Sequence, residues 1–175
     1  MSRIIVFVNQ KGGVGKTTTA LNLGAYIALS GKRVLLVDFD PQANLTSGLG
    51  LSGKAKNVYK VLTGTCQLDE AIMQTELLNL YVLPSSIDLS GATVELVDRE
   101  DRNYLLKNLL EPIKSNYDFI LIDCPPSLGV LTLNGLCAAR EVIIPLQCEY
   151  FALEGLSLIL QTIKLVQESF NKELK

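Results

Sequence analysis

The stretch Lys11-Gly12-Gly13-Val14-Gly15-Lys16-Thr17-Thr18 lies between a short apolar run, Ile4–Val8, and a segment of helical spacing, Lys16–Ser30. Its glycines let the chain curl so that successive backbone N–H groups point inward. The helix that opens at Lys16 adds the positive end of its dipole and its unpaired amides. Such a loop is suited to anions, phosphates above all. Lys16 is placed to reach the outer phosphates of a nucleotide, and the Thr17 hydroxyl to sit on Mg2+. Gln10 stands where the common G-x-x-x-x-G-K-[ST] pattern has its first glycine, and Lys11 follows it. A lysine just ahead of a helix N-terminus is unfavourable unless an anion shares the site. Two lysines around one loop therefore point to a densely charged ligand such as a nucleoside triphosphate.

Outward from the loop, apolar runs recur at Ile4–Val8, Val34–Val37, Leu80–Leu83, Phe119–Ile122 and Val142–Ile144, each with helical sequence before the next. Continuous rather than alternating apolar character suits strands buried on both faces. Strand, helix, strand in that order predicts a right-handed crossover and an α/β fold: a doubly wound, mainly parallel sheet with helices on both faces. The first helix carries Leu21, Ala25 and Ala28–Leu29 at the required spacing, with Gly31 at its stop. Residues 45–78 are less regular: Gly48, Gly50 and Gly53 punctuate a loop, and short helices are predicted at Val58–Leu62 and Leu68–Met73. A further helix is predicted over Tyr104–Ile113, frayed by Pro112, and another over Leu153–Phe170, with Leu153, Leu156, Leu160 and Ile163 on one face. No repeat or linker interrupts residues 1–175, which read as one domain. The chain stops directly after a helix, where such a sheet takes its next strand, so the domain is expected to be C-terminally incomplete.

Two strands end in carboxylates: Val34–Val37 in Asp38, followed by Phe39-Asp40-Pro41-Gln42, and Phe119–Ile122 in Asp123, followed by Cys124-Pro125-Pro126. Ligands bind at the carboxyl ends of strands in an open parallel sheet, so Asp38, Asp40 and Asp123 converge on the phosphate loop. Asp123 fits a Walker-B role toward magnesium, with Asp38 near it; Asp40, two residues past its strand, is free to orient an attacking water.

Composition narrows the chemistry. Of 175 residues, 48% are apolar and 19% charged, which fits a buried globular core. Sixteen basic against 18 acidic side chains give a net charge of −2, which excludes a strongly basic nucleic-acid binder as a whole-chain property. Lys54, Lys56, Lys60, Arg99 and Arg102 read as solvated faces. With no histidine, imidazole catalysis and histidine–zinc sites are excluded. Cys66, Cys124, Cys137 and Cys148 form no C-x-x-C pair and read as reduced core-type residues. The N-terminus lacks a secretory pattern and no run approaches a membrane span, so a cytoplasmic protein is expected.

These residues resemble a known family. Lys11–Thr18 is similar to the deviant Walker-A motif of the ParA/MinD group of P-loop ATPases. The segment from Val37 to Gly50, the segment Asp123–Gly129, and Pro145-Leu146-Gln147-Cys148-Glu149-Tyr150-Phe151-Ala152-Leu153-Glu154-Gly155 resemble the ParA/Soj partition ATPases in particular. The resemblance implies ATP and Mg2+ as cofactors and slow ATP hydrolysis. It implies an ATP-dependent homodimer in which Lys11 crosses to the partner's nucleotide, Lys16 serves its own, and Gly12 lies at the crowded dimer face. Asp40 matches the residue required for hydrolysis, and Asp38 and Asp123 match acids near the magnesium, with Thr17. It further implies non-specific DNA binding by the dimer, nucleoid association, and a ParB/Spo0J-type partner that stimulates hydrolysis through a basic N-terminal peptide. Family members continue for about one-third more chain, which carries the adenine-contacting loop and the DNA-holding basic residues. Two other expectations compete: a MinD-like membrane-cycling ATPase, which needs a lipid-binding amphipathic helix, and an inactive truncated remnant. Nitrogenase-iron-protein-like chemistry shares the loop but lacks a supporting cysteine arrangement here.

Overall fold

The computed structural model describes residues 2–95, 98–149 and 152–175. In chain order the elements are β1 (Arg3–Phe7), α1 (Lys16–Leu29), β2 (Val34–Asp38), α2 (Asn44–Gly48), α3 (Val58–Leu62), α4 (Leu68–Ala71), β3 (Met73–Gln74), β4 (Leu80–Leu83), α5 (Leu89–Glu95), α6 (Leu105–Leu110), β5 (Phe119–Asp123), α7 (Val130–Ala138), β6 (Glu141–Ile143) and α8 (Ala152–Ser169). They form a six-stranded sheet among the described residues, in the order β3-β4-β2-β5-β1-β6. All neighbours pair in parallel except β3, which runs antiparallel to β4.

The apolar runs become strands because both of their faces are covered. Alternate side chains divide between two cores: Val6, Leu35, Val37, Ile120 and Ile122 face one way, and Ile5, Phe7, Val34, Leu36 and Leu121 the other. β2 is buried at all five positions. Helix α1 lies on the second face, and Gly24 lets it approach closely: a Cβ there would come within 2.7 Å of the Leu36 side chain. Helices α5, α6, α7 and α8 send side chains into the first. The predicted doubly wound α/β class is therefore what forms.

Several boundaries differ from expectation for physical reasons. The predicted helix Leu68–Met73 ends at Ala71, because Met73 and Gln74 pair with Val82 and Tyr81 as β3. The Tyr104–Ile113 helix is only Leu105–Leu110, and the chain before Pro112 turns out of it. Part of the expected 45–78 loop is α2. In α8 the buried stripe is Ile159, Ile163 and Val166, and Leu160, expected inward, is 51% exposed. Beyond α8, Leu174 is buried, and Lys175 lies along the β6 edge: its amide donates to the Arg140 carbonyl at 2.8 Å and its carbonyl accepts from the Val142 amide at 3.0 Å. No helix among the described residues is long and apolar enough to cross a membrane.

Candidate functional site

β1, β2 and β5 are parallel neighbours, so their carboxyl ends lie side by side, with Phe7 opposite Asp123 and Asp123 opposite Asp38. The loop that follows β1 is tied down by Asn9, which is 5% exposed. Its side-chain oxygen accepts from the Lys11 amide at 2.9 Å, and its side-chain nitrogen donates to the Pro145 carbonyl at 2.7 Å. Gly13 and Gly15 take φ of +75° and +93°, a left-handed conformation that side chains resist. A Cβ at Gly12 would meet nothing within 4 Å, so packing inside this chain does not demand glycine there. No side chain caps α1, which leaves its first-turn amides available to an anion.

The charged groups of this corner are buried without full compensation. Lys16 is 6% exposed and its Nζ donates to the Lys11 carbonyl at 3.3 Å. Burial lowers its pKa, and the Asp123 and Asp40 carboxylates pull it back up. Asp123 is fully buried and neither carboxylate oxygen has a hydrogen-bond partner. Burial pushes its pKa up to about 7, against the Thr17 hydroxyl and Lys16 ammonium, while the Asp38 and Asp40 charges add to the rise. An unpaired buried acid facing a threonine hydroxyl and a glycine loop is the donor set that suits Mg2+, which binds through one or two carboxylates and keeps its waters. Among the described residues, no three acidic or thiol side chains gather into a group that could hold a metal ion by themselves.

Asp38 reaches the same strand ends with its oxygens engaged. Oδ2 accepts from the Thr46 amide at 2.8 Å and the Thr46 hydroxyl at 2.6 Å, and Oδ1 from the Asp40 amide at 3.3 Å. Burial still pushes its pKa up to about 6, the Thr46 bonds opposing. Asp38 thereby caps α2 from a distance, where Ala43, at φ 52°, supplies no side-chain cap. Asp40 is 6% exposed; its Oδ1 accepts from the Gln42 amide at 2.9 Å. Asp40 lines a cleft of about 540 Å3 together with Gly13, Lys16, Thr17, Thr18 and Pro126. Val14 is half-buried in the loop beside it. A larger hollow, about 880 Å3 beside Arg3, Glu141 and Lys175, lies at the opposite ends of the strands, away from the glycines and the buried acids.

The Lys11 ammonium sits outside this cleft, 46% exposed, on Glu149 Oε2 at 2.5 Å and Gln147 Oε1 at 3.3 Å. Gln147 also donates to the Gly13 carbonyl at 3.4 Å. The structure thus brings Gly12–Thr18, Asp38, Asp40 and Asp123 together. It adds Asn9, Thr46, Gln147 and Glu149, whose parts the sequence did not reveal: four of these contacts span more than 130 residues, and Thr46 resembles any helical threonine. Tyr150 and Phe151 of the 145–155 segment lie outside the described residues. Lys56 and Arg99, expected on solvated faces, form exposed ion pairs with Glu70 and Asp101.

A profile of the AAA domain family matches residues 2–175. The chromosome-partitioning ATPase Soj of Treponema pallidum is 63% identical over 174 residues, which cover 99% of this chain and 68% of that protein. The sporulation initiation inhibitor protein Soj of Bacillus subtilis is 54% identical over 176 residues, 99% of this chain and 70% of that one. Among solved structures, one from Mycobacterium smegmatis described as cobyrinic acid a,c-diamide synthase with bound ADP and magnesium gives a TM-score of 0.96 at 47% identity. It matches 100% of this chain and 72% of its own.

Proposed function

Because the chain belongs to the AAA domain family and, within it, to the Soj and ParA chromosome-partitioning ATPases, we propose that it is a Mg2+-dependent ATPase. In this reading its ATP-bound dimer binds DNA non-specifically and partitions a chromosome or plasmid together with a ParB-type partner. The observation that carries the reading is a buried Lys16 ammonium within electrostatic reach of a buried Asp123 whose oxygens have no hydrogen-bond partner, at the mouth of a glycine loop.

Each residue has a role that follows from its place. The loop amides of Gly12–Thr18 and the start of α1 hold phosphate oxygens, and Lys16 serves the outer phosphates. Thr17 and Asp123 hold the magnesium, with Asp38 behind them. Bound there, the ion would supply positive charge to offset the charge that develops on the transferred phosphoryl group. Asp40, on the cleft wall, orients the attacking water. Lys11 leaves Glu149 and Gln147 to reach the nucleotide of a second copy across the open face at Gly12. The partition reading is preferred to a synthase because the Treponema and Bacillus proteins, 63% and 54% identical to this chain, both carry the Soj name. The buried stripe of α8 packs into the core, which accounts for its amphipathic pattern without lipid.

The test is calorimetric titration of ATP with Mg2+, followed by turnover and sedimentation. Asp40→Ala should bind ATP, lose turnover and accumulate as dimer; Lys11→Ala should bind ATP and stay monomeric. No heat on titration of the folded chain refutes the ATPase reading. Dimerisation of Lys11→Ala equal to that of the unmodified chain refutes the crossing lysine.

A further inference from the structure

Thr46 occupies an unusual position for a threonine in a five-residue helix. It is 1% exposed, and its hydroxyl lies between two elements that are not neighbours in sequence. The oxygen accepts from the Ser85 amide, in the chain just after β4, at 3.0 Å, and its proton goes to Asp38 Oδ2 at 2.6 Å. A hydroxyl has one proton. With the Ser85 amide on a lone pair and a carboxylate as the other neighbour, the direction of that proton is settled. The Thr46 amide donates to the same Asp38 oxygen at 2.8 Å. The other Asp38 oxygen accepts from the Asp40 amide at 3.3 Å, a long bond whose geometry depends on how the Asp38 carboxylate is held. The line therefore runs from Ser85 through Thr46 and Asp38 to Asp40. Between Asp40 and Thr46 the chain is otherwise held by local turns: Gln42 and Ala43 amides on Asp40 oxygens, and Ala43 in a left-handed conformation.

We propose that Thr46 is a positioning residue for Asp40: its hydroxyl joins the Ser85 amide to the Asp38 carboxylate, and Asp38 holds the Asp40 backbone in place for hydrolysis. The inference rests on the reading that Asp40 orients the attacking water. A β-branched residue suits the role because its χ1 is stiff, and the hydroxyl is the part that matters. Serine supplies it; valine, of nearly the same shape, leaves the Ser85 amide without its partner and Asp38 with one donor fewer.

The test compares Thr46→Val and Thr46→Ser in the full chain, reading ATP affinity by calorimetry and the hydrolysis rate in a single turnover with Mg2+. Loss of positioning by even a fraction of an ångström reduces rate far more than affinity. Thr46→Val is expected to bind ATP within about threefold of the unmodified chain and to hydrolyse it about tenfold more slowly or worse, and Thr46→Ser to recover the rate within about threefold. Three results overturn the proposal: a folded Thr46→Val with unchanged rate, a Thr46→Ser as slow as the valine variant, or affinity and rate falling in parallel. If neither Thr46→Val nor Thr46→Ala folds while Thr46→Ser does, the hydroxyl is a requirement of the whole domain and the positioning role is equally overturned. Failure of the parent reading looks different: Asp40→Ala would then turn over ATP like the unmodified chain.

Discussion

Replacing Asp123 with asparagine should stabilise the ligand-free protein, increasingly so as the pH rises. The acid is fully buried, neither of its oxygens has a partner, and burial pushes its pKa up to about 7 from an ordinary 3.8. Between those values the folded protein holds a proton that the unfolded chain has lost. Stability contributed by this group is thus fully present below pH 3.8 and is lost as the pH rises through 7. A gap of about three pH units at about 1.4 kcal/mol each gives a loss on the order of 4 kcal/mol, of which about 3 kcal/mol falls between pH 5 and pH 8. Asparagine has the shape of the neutral acid and no proton to lose, so the advantage of Asp123→Asn over the unmodified chain should grow by that amount across the interval. Denaturant unfolding of both proteins at pH 5, 6, 7 and 8, without nucleotide or magnesium, measures it. A difference that stays flat with pH means that the Asp123 carboxylate is compensated when charged, and the argument for an ion at this place fails with it. Magnesium with ADP should stabilise the unmodified chain at pH 8 and leave Asp123→Asn nearly unmoved.

Gly135→Ala should destabilise by about 1–3 kcal/mol, because a Cβ there would sit 2.6 Å from Cys124 Sγ and 3.0 Å from Val6 Cγ2, both in the packed core; thermal unfolding checks it, and adding Cys124→Ala should recover part of the loss. Of the four thiols, Cys148 is exposed and Cys66 half-buried, whereas Cys124 and Cys137 are enclosed and burial raises both thiol pKa values, Cys137 to about 11. A disulfide-exchange reagent at pH 8 should therefore modify two cysteines in the folded protein and four in denaturant. Glu149→Gln should lower the ATP concentration that half-saturates dimerisation by no more than about fivefold, since an exposed ion pair contributes at most about 1 kcal/mol; a shift beyond tenfold in sedimentation would show that Glu149 does more than hold Lys11.

What could be read in the sequence and what could not divides along a physical line. β2 and β5 are apolar up to their terminal aspartates because both of their faces are buried, so their runs identified them directly. The phosphate loop was legible because positive φ at Gly13 and Gly15 leaves glycines as a trace. By contrast, α7 is buried at seven of its nine positions, among them Leu131, Asn134 and Cys137, and so has no polar face from which a helical period could be read. In α8, isoleucines and leucines at 156, 158, 159, 160, 163 and 165 allow two stripes, and only docking against the core chooses the one through Ile159. β3 is two residues long and exists because β4 offers it an edge. Within the site, Asp38 and Asp123 look alike as strand-ending acids; what separates them is that Asp38 has Thr46 and the Asp40 amide on its oxygens and Asp123 has none.

Several unfavourable features gather at the carboxyl end of the sheet. Lys16 is desolvated, Asp123 is buried without donors, α1 starts without a cap, and Ala43 holds a left-handed conformation that disfavours any residue with a side chain. None of these helps the empty chain fold. The two cores on either side of β1, β2 and β5 hold the strand ends in place regardless, because the register of those strands is set by buried side chains well below the site. On the proposed reading, a polyanion with its magnesium would reverse several of these terms together: it would supply anionic oxygens to the α1 amides and Lys16, and a cation to Asp123. Ligand binding and folding stability would then be coupled through the same few groups. Asp38 is the exception that fits: its hydrogen bonds to Thr46 and to the Asp40 amide are already made before any ligand binds.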